Sequence, residues 1–273
     1  MIGALRRLTA RDLPSAMGLS ISANWNQTAE DWRRMMRLSP DGCRCIENEG
    51  RIVATATRLN YGDQLSWIGM VLTRPDERRK GYARRLIEDA IASSKMERIP
   101  TLKLDATEQG RPLYESLGFI VEQTIERWER RGEAPRSTTA AYARRIPDEL
   151  LREDTKAFGV SRQSLLQDLS ASGNCVVGSH GYILSRAGRM AHYLGPCVAT
   201  SASAARELIE GQLNRCSSEC AWYWDLLDSN TEAVRCAEEL GFTRTRVLWR
   251  MRRGERVDAD DLLSYAIAGF ELG

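Results

Sequence analysis

The chain has 273 residues, a length that suits about two domains of ordinary size. Lys plus Arg (39) nearly balances Asp plus Glu (37), and a net charge of +2 argues against a nucleic-acid surface built on bulk charge. No apolar run of about 18 residues occurs and the N-terminal MIGALRRLTARD lacks the apolar stretch of a signal peptide, so neither a membrane partner nor export is expected. Seven cysteines, at 43, 45, 175, 197, 216, 220 and 236, form no CxxC, and the histidines are His180 and His192. A zinc site or disulfide framework is not expected, no metal is called for, and scattered thiols fit a reducing cytoplasm.

In chain order, Leu5 to Leu8 suits a short strand, and Thr9 to Asp12 a helix start carrying Leu13, Met17 and Leu19 inward. Thr28 with Asp31 forms a variant capping box that opens a helix with Trp32, Met35 and Met36 on one face. Cys43–Glu47 and Arg51–Arg58 read as a hairpin turning at Asn48-Glu49-Gly50. Trp67 to Leu72 is apolar without alternation, as in a strand buried on both faces. It runs through a Pro75 turn into Arg78-Arg79-Lys80-Gly81-Tyr82-Ala83, then an amphipathic helix burying Ala83, Leu86, Ile87, Ala90 and Ile91. A strand, a basic glycine-bearing turn and a helix start together bind phosphate, because unpaired N–H groups and the helix dipole favour an anion there. Thr101–Asp105 reads as another strand, Pro112 suits a first helical turn, and Gly118 suits a left-handed helix end.

Arg78-x-x-Gly81-x-Ala83, led in by Val71-x-Thr73-x-Pro75, resembles the acetyl-CoA-binding motif of the GCN5-related N-acetyltransferases. Leu113-Tyr114-x-x-Leu117-Gly118-Phe119 resembles that family's second hallmark. The resemblance implies a mixed-sheet α/β (α+β) domain over residues 1–133 with acetyl-CoA as co-substrate. Val71, Leu72 and Thr73 would pair with the pantetheine arm. Arg78, Arg79, Lys80, Gly81, Tyr82, Ala83 and Arg84 would hold the pyrophosphate. Thr107 stands where the family often has a cofactor-contacting Asn, and Tyr114 stands at the position of the general acid to the CoA thiolate. The region between the first two helices covers the acceptor in this family, which makes Trp25, Asn26 and Trp32 substrate candidates. Many relatives carry a glutamate base on the central strand, but Gln64 to Leu72 contains no acid. Asp63, Glu108, or Asp225 through water, remain for that role.

Residues 132–142 (GEAPRSTTAAY) lack apolar periodicity and read as a connection, with the linker at 134–142 and a second domain at 143–273. That second half repeats the first. Leu240-Gly241-Phe242 followed by Arg252-Arg253-Gly254-Glu255 matches Leu117-Gly118-Phe119 followed by Arg130-Arg131-Gly132-Glu133. Tyr193–Val198 takes the place of Ile68–Val71, and Trp222–Asp225 that of Leu102–Asp105. The basic turn is missing, since Ala199-Thr200-Ser201-Ala202 follows, and Ala237 stands where Tyr114 does. The chain thus resembles a bacterial tandem subgroup of the family whose second domain is degenerate. Asp225 is a candidate for binding the acceptor amine from that second domain. The implied function is acetyl-CoA-dependent N-acetylation of a small-molecule primary amine, with no nucleic-acid partner and an unassigned oligomeric state. A protein or peptide N-acetyltransferase and a non-catalytic acyl-CoA-binding regulator stay open.

Overall fold

The structure, a computed structural model, describes residues 3–132, 143–172, 174–214 and 221–273. The expected linker at 134–142, together with Cys216 and Cys220, lies outside the described residues. The first half runs β1 (Ala4–Arg7), α1 (Leu13–Ser22), α2 (Ala29–Leu38), β2 (Arg44–Asn48), β3 (Arg51–Tyr61), β4 (Leu65–Thr73), α3 (Tyr82–Met96), β5 (Thr101–Ala106), α4 (Arg111–Ser116) and β6 (Ile120–Arg130). The second half runs α5 (Asp148–Phe158), α6 (Gln163–Ser172), β7 (Asn174–Gly178), β8 (Gly181–Arg186), β9 (His192–Ala199), α7 (Ala202–Leu213), β10 (Trp222–Leu227), α8 (Thr231–Glu239), β11 (Thr243–Gly254) and β12 (Ser264–Ala266).

Local signals in the sequence account for most of these elements. The Thr28 hydroxyl accepts from the Asp31 N–H at 3.3 Å while the Asp31 carboxylate accepts from the Thr28 N–H at 2.8 Å, closing a box that starts α2. Such a cap is worth about 1 kcal/mol. β4 is buried along almost its whole length, as its unbroken apolar run requires. It is covered by α3 on one side and by α1 and Phe158 of α5 on the other.

The halves share a single sheet. Among the described residues its order is β1-β2-β3-β4-β5-β11-β6-β10-β9-β8-β7, with β12 added along β9. Each half has its own parallel pair, β4 with β5 and β9 with β10. The last long strand of each half, however, joins the other half. β11 lies antiparallel to β5, and β6 lies antiparallel to β10. The result is an approximate two-fold arrangement with β11 and β6 paired at its centre.

Two ion pairs at equivalent positions fasten the exchanged strands. Arg250 of β11 grips Asp105 of β5 at 3.0 and 3.1 Å, and Arg127 of β6 grips Asp225 of β10 at 2.7 and 2.6 Å. Both carboxylates are fully buried and both contacts are bidentate, the geometry that best offsets desolvation of the charges. Arg250 also stacks on Trp67, and Arg127 on Tyr223 and Phe270, at 4.6, 4.7 and 4.5 Å from the ring centres.

Beyond β12 the chain turns back into the first half. The Trp67 indole donates to the Phe270 carbonyl at 3.0 Å, and the Tyr61 hydroxyl donates to the Leu272 carbonyl. Ala268 and Leu272 join the same apolar core as Leu8, Trp32, Met35 and Trp67.

Candidate active site

β4 and β5 pair only from Leu65↔Thr101 to Trp67↔Lys103 and then diverge. On its other side β4 stays paired with β3 up to Ala54↔Thr73, with a bulge at the centre where Met70 takes a φ of 48°. A bulge beside a cleft re-aims the backbone locally. The edge of Ile68–Thr73 that faces β5 is therefore left without a strand partner. It opens on a cavity of about 890 Å³.

One end of this cavity is the basic turn. Gly81 has a φ of 83°, a left-handed conformation that a side chain would strain, and it opens α3 with no side-chain cap. The first N–H groups of α3 are thus left for a ligand. Arg78, Arg79, Gly81, Tyr82, Ala83 and Arg84 line the cavity there, and Val71, Leu72 and Thr73 line its strand wall. Among the described residues Arg78 and Arg79 are exposed and form no ion pair. Arg84 donates to the Ser116 hydroxyl at 2.7 Å. Lys80 is not among the lining residues; its ammonium bonds the Glu77 carboxylate at 2.8 Å.

Tyr114 and Thr107 also line the cavity. Tyr114 is almost buried, its ring set edge-on to Phe119, and burial holds the phenol well above its ordinary pKa. The Thr107 hydroxyl accepts from the Gly110 N–H at 3.1 Å, shaping the turn that presents α4. The Thr107 hydroxyl is thus partly used locally.

The far end brings both halves together. Trp25 and Asn26 line it, and the Asn26 carboxamide is sewn to the loop before β9. Its Nδ2 donates to the Ala191 carbonyl at 3.0 Å, and its Oδ1 accepts from the N–H groups of Met190 and Ala191 at 2.8 and 3.0 Å. Two sequence candidates do not reach the cavity. Trp32 is wholly buried beneath α1, donating to the Ser20 hydroxyl at 3.0 Å, because its helix face points into the core. Asp225 is also wholly buried; Arg127 takes both its oxygens, and the Tyr193 hydroxyl donates to it at 2.7 Å. Arg127, which Asp225 holds, does line the cavity. Of the acids considered as a base, Glu108 lines the cavity and is exposed, while Asp63 lies exposed in the β3–β4 turn away from it.

Sequence reasoning passed over Gln27, Asp105, Arg246, Phe270 and Glu271, which also line the cavity. Burial pushes the Asp105 carboxyl up to about 6 against the pull of Arg250. Burial likewise raises Glu271, opposed by Arg186. Asp105 was legible as the end of a strand at the cleft, and Gln27 as the neighbour of Asn26; the other three become neighbours only through the exchanged strand and the returning tail. Among the described residues no cluster of His, Cys, Asp or Glu suits a metal ion, and no helix is long and apolar enough to cross a membrane.

The equivalent cleft in the second half is closed. β9 and β10 also part after three residue pairs, but β12 pairs with the freed edge of β9 at Val198 and Cys197. The start of α7 is capped by its own Ser201, whose hydroxyl accepts from the Ala204 N–H at 3.3 Å. Neither the strand edge nor the helix start is open to a cofactor.

Comparison with known proteins agrees with this geometry. Two family models, both described as acetyltransferase (GNAT) domain, match residues 40–121 and 150–266. Holothin acyltransferase of Pseudoalteromonas sp. (strain SANK 73390) is 24% identical over 93% of this chain and 89% of its own length. The uncharacterized N-acetyltransferase YitH of Bacillus subtilis is 29% identical over 59% of this chain and 60% of its own. Among solved structures, an acetyltransferase-class protein from Pyrococcus horikoshii superposes with a TM-score of 0.88 at 22% identity, covering 99% of this chain and 95% of that one. A tandem GNAT protein from the clavulanic acid biosynthesis pathway gives 0.62 at 13% identity, covering 92% and 98%. With one open cleft and one closed copy of it, the chain is a tandem member of the GCN5-related N-acetyltransferase (GNAT) family and an acyltransferase.

Proposed function

We propose that the protein transfers an acetyl group from acetyl-CoA to the primary amine of a small-molecule acceptor by direct attack in the first-half cleft. The observation that carries this reading is a single cavity lined by three features. They are an uncapped basic helix start, an unpaired strand edge with Tyr114 beside it, and an acceptor end walled by both halves. The pyrophosphate sits on the N–H groups at the start of α3, with Arg78 and Arg79 supplying charge-assisted bonds. The pantetheine arm pairs with the free edge of Val71–Thr73. A backbone N–H at the β4 bulge polarises the thioester carbonyl and steadies the oxyanion.

Attack by the amine on the thioester carbon forms the C–N bond and expels the CoA thiolate as the C–S bond breaks. A thiol of ordinary pKa about 8.5 is protonated on leaving by the Tyr114 hydroxyl, which burial keeps in its protonated form. The proton lost by the new amide nitrogen restores the phenol. The Asn26 stitching narrows the acceptor end, which favours a compact amine over a polypeptide laid in an open groove.

The test is thiol release from acetyl-CoA against a panel of amines, amino acids and peptides, with wild type and Tyr114→Phe in parallel and acetyl-CoA affinity measured for both. Turnover on a small amine, reduced about 10²-fold or more in the variant at unchanged affinity, is expected. Turnover on peptides alone moves the acceptor to polypeptide, and tight binding without turnover on any of them makes the protein an acyl-CoA-binding regulator.

A further inference from the structure

We propose that Glu271, carried into the first-half cleft by the segment that follows β12, takes the proton from the acceptor ammonium. The inference rests on the transfer reaction above and supplies the base that β4 lacks.

An alkylamine of ordinary pKa about 10.4 is almost wholly protonated at pH 7, and freeing its lone pair there costs about 4.6 kcal/mol. A carboxylate at the acceptor end that takes that proton lowers this cost. Asp105 lines the cavity, but Arg250 grips both of its oxygens. Glu108 is exposed to solvent, and Asp225 is sealed behind Arg127.

Glu271 differs from each of these. It is 96% shielded from solvent, as its 4% exposure shows, yet it lines the cavity. Its backbone lies directly against the central strand: a Cβ added to Gly69 would meet the Glu271 carbonyl oxygen at 2.7 Å and its Cα at 2.8 Å. Glu271 thus fills the space that a side chain at position 69 would take, one residue before the bulge at Met70. Its carboxylate is held rather than consumed. One oxygen accepts from Arg186 Nη2 at 3.1 Å and the other from Gln27 Nε2 at 2.9 Å, and the residue's own backbone N–H also bonds the carboxylate, which still leaves it a lone pair. Gln27 lines the same cavity, and its Oε1 is buried with no protein partner, a second acceptor for an ammonium.

The charged and titratable groups around Glu271 set its proton affinity from every side. They are Arg186 of β8, Asp31 of α2, Arg127 of β6 and Tyr61 of β3. Arg186 favours the carboxylate, while burial and Asp31 favour the acid. The two influences oppose, as a group that must take a proton and then return it requires. The balance is simple. The ammonium proton moves to Glu271, the free amine attacks the thioester, and Glu271 returns its proton to solvent after the amide and the CoA thiol have formed.

The experiment compares wild type with Glu271→Gln and Glu271→Asp. The acceptors are the best alkylamine of the panel and hydroxylamine, which is already largely neutral at pH 7.5. Glu271→Gln is expected to lower kcat/KM for the alkylamine about 10²-fold or more, yet for hydroxylamine less than tenfold, with acetyl-CoA affinity unchanged. Glu271→Asp is expected to recover part of the loss. Equal losses with both acceptors, or no loss, overturn the proposal, because a merely structural role would not distinguish them. Absence of any amine turnover in wild type overturns the transfer reading instead. In that case isotope-edited infrared difference spectra of wild type against Glu271→Gln decide the assignment. A carboxylic-acid band that persists to a pH above the ordinary Glu value of about 4.3 supports it, and a Glu271 that titrates at or below that value refutes it.

Discussion

Replacing Gly69 with Ala tests the contact between the central strand and the returning tail. The new methyl would lie 2.7 Å from the Glu271 carbonyl oxygen, 2.8 Å from its Cα and 3.0 Å from its Cβ. Ordinary carbon contacts begin near 3.5 Å, so the tail must retreat by roughly 0.5–1 Å. Three bonds resist that retreat: the Trp67 indole to the Phe270 carbonyl, Gln27 to Glu271, and Arg186 to Glu271. Overpacking of this kind costs about 1–3 kcal/mol, and a lost or stretched hydrogen bond adds about 1 kcal/mol. For a chain of 273 residues the sum of about 2–4 kcal/mol corresponds to a fall in Tm of roughly 3–7 °C. Gly18 is the control: it lies exposed within α1 with open space around its added methyl, so Gly18→Ala should raise stability by about 0.5–1 kcal/mol. Thermal and urea unfolding of both variants, with thiol release as a second readout, make the assay. A Gly69→Ala protein as stable and as active as wild type would refute the packing of the tail against β4.

Asp225→Asn strips the counter-charge from buried Arg127 and should cost about 3–5 kcal/mol by urea unfolding; a loss under 1 kcal/mol would contradict the ion-pair lock on the exchanged strand. Asp12 bonds Arg6 and caps Thr9, which holds its carboxyl well below the ordinary range. A depressed folded value means that its stabilisation is present above the unfolded pKa of about 3.9 and is lost as pH falls below it. Asp12→Ala should therefore cost about 1 kcal/mol at pH 7, and the difference from wild type should shrink steadily in acid. In the pH profile of turnover, activity should appear as pH rises through a value above the ordinary Glu value of about 4.3, since burial raises Glu271. With Tyr114 also raised by burial, no alkaline decline from loss of the phenolic proton is expected below about pH 10.

The parts of the site that lie close together in the chain were readable from the sequence. The apolar run that forms β4, the Gly81 turn and the amphipathic α3 follow from periodicity and backbone preference within some thirty residues. The repeat was equally readable, including the equivalence of Leu102–Asp105 with Trp222–Asp225. What each aspartate binds was not, because the partners Arg250 and Arg127 come from strands traded between the halves, and a repeat says nothing about that exchange. The same gap misplaced Asp225 as a substrate contact. Trp32 shows a second limit. Helical spacing assigns it to the apolar face of α2, but only packing against α1 decides that the face meets core rather than ligand. Glu271 had no local signal at all, since Ile267 to Gly273 has no periodic pattern and gains its position from bonds to Asp225, Trp67 and Arg162.

The most direct test of the cleft assignment is calorimetric titration of the protein with acetyl-CoA, alongside Arg78→Glu. Arg78 is exposed and, among the described residues, forms no ion pair, so its reversal should leave stability unchanged. One acetyl-CoA bound per chain, with affinity reduced more than tenfold in Arg78→Glu, is the expected result. Two bound per chain, or an affinity indifferent to the reversal, would contradict a single open cleft built on the β4–α3 turn.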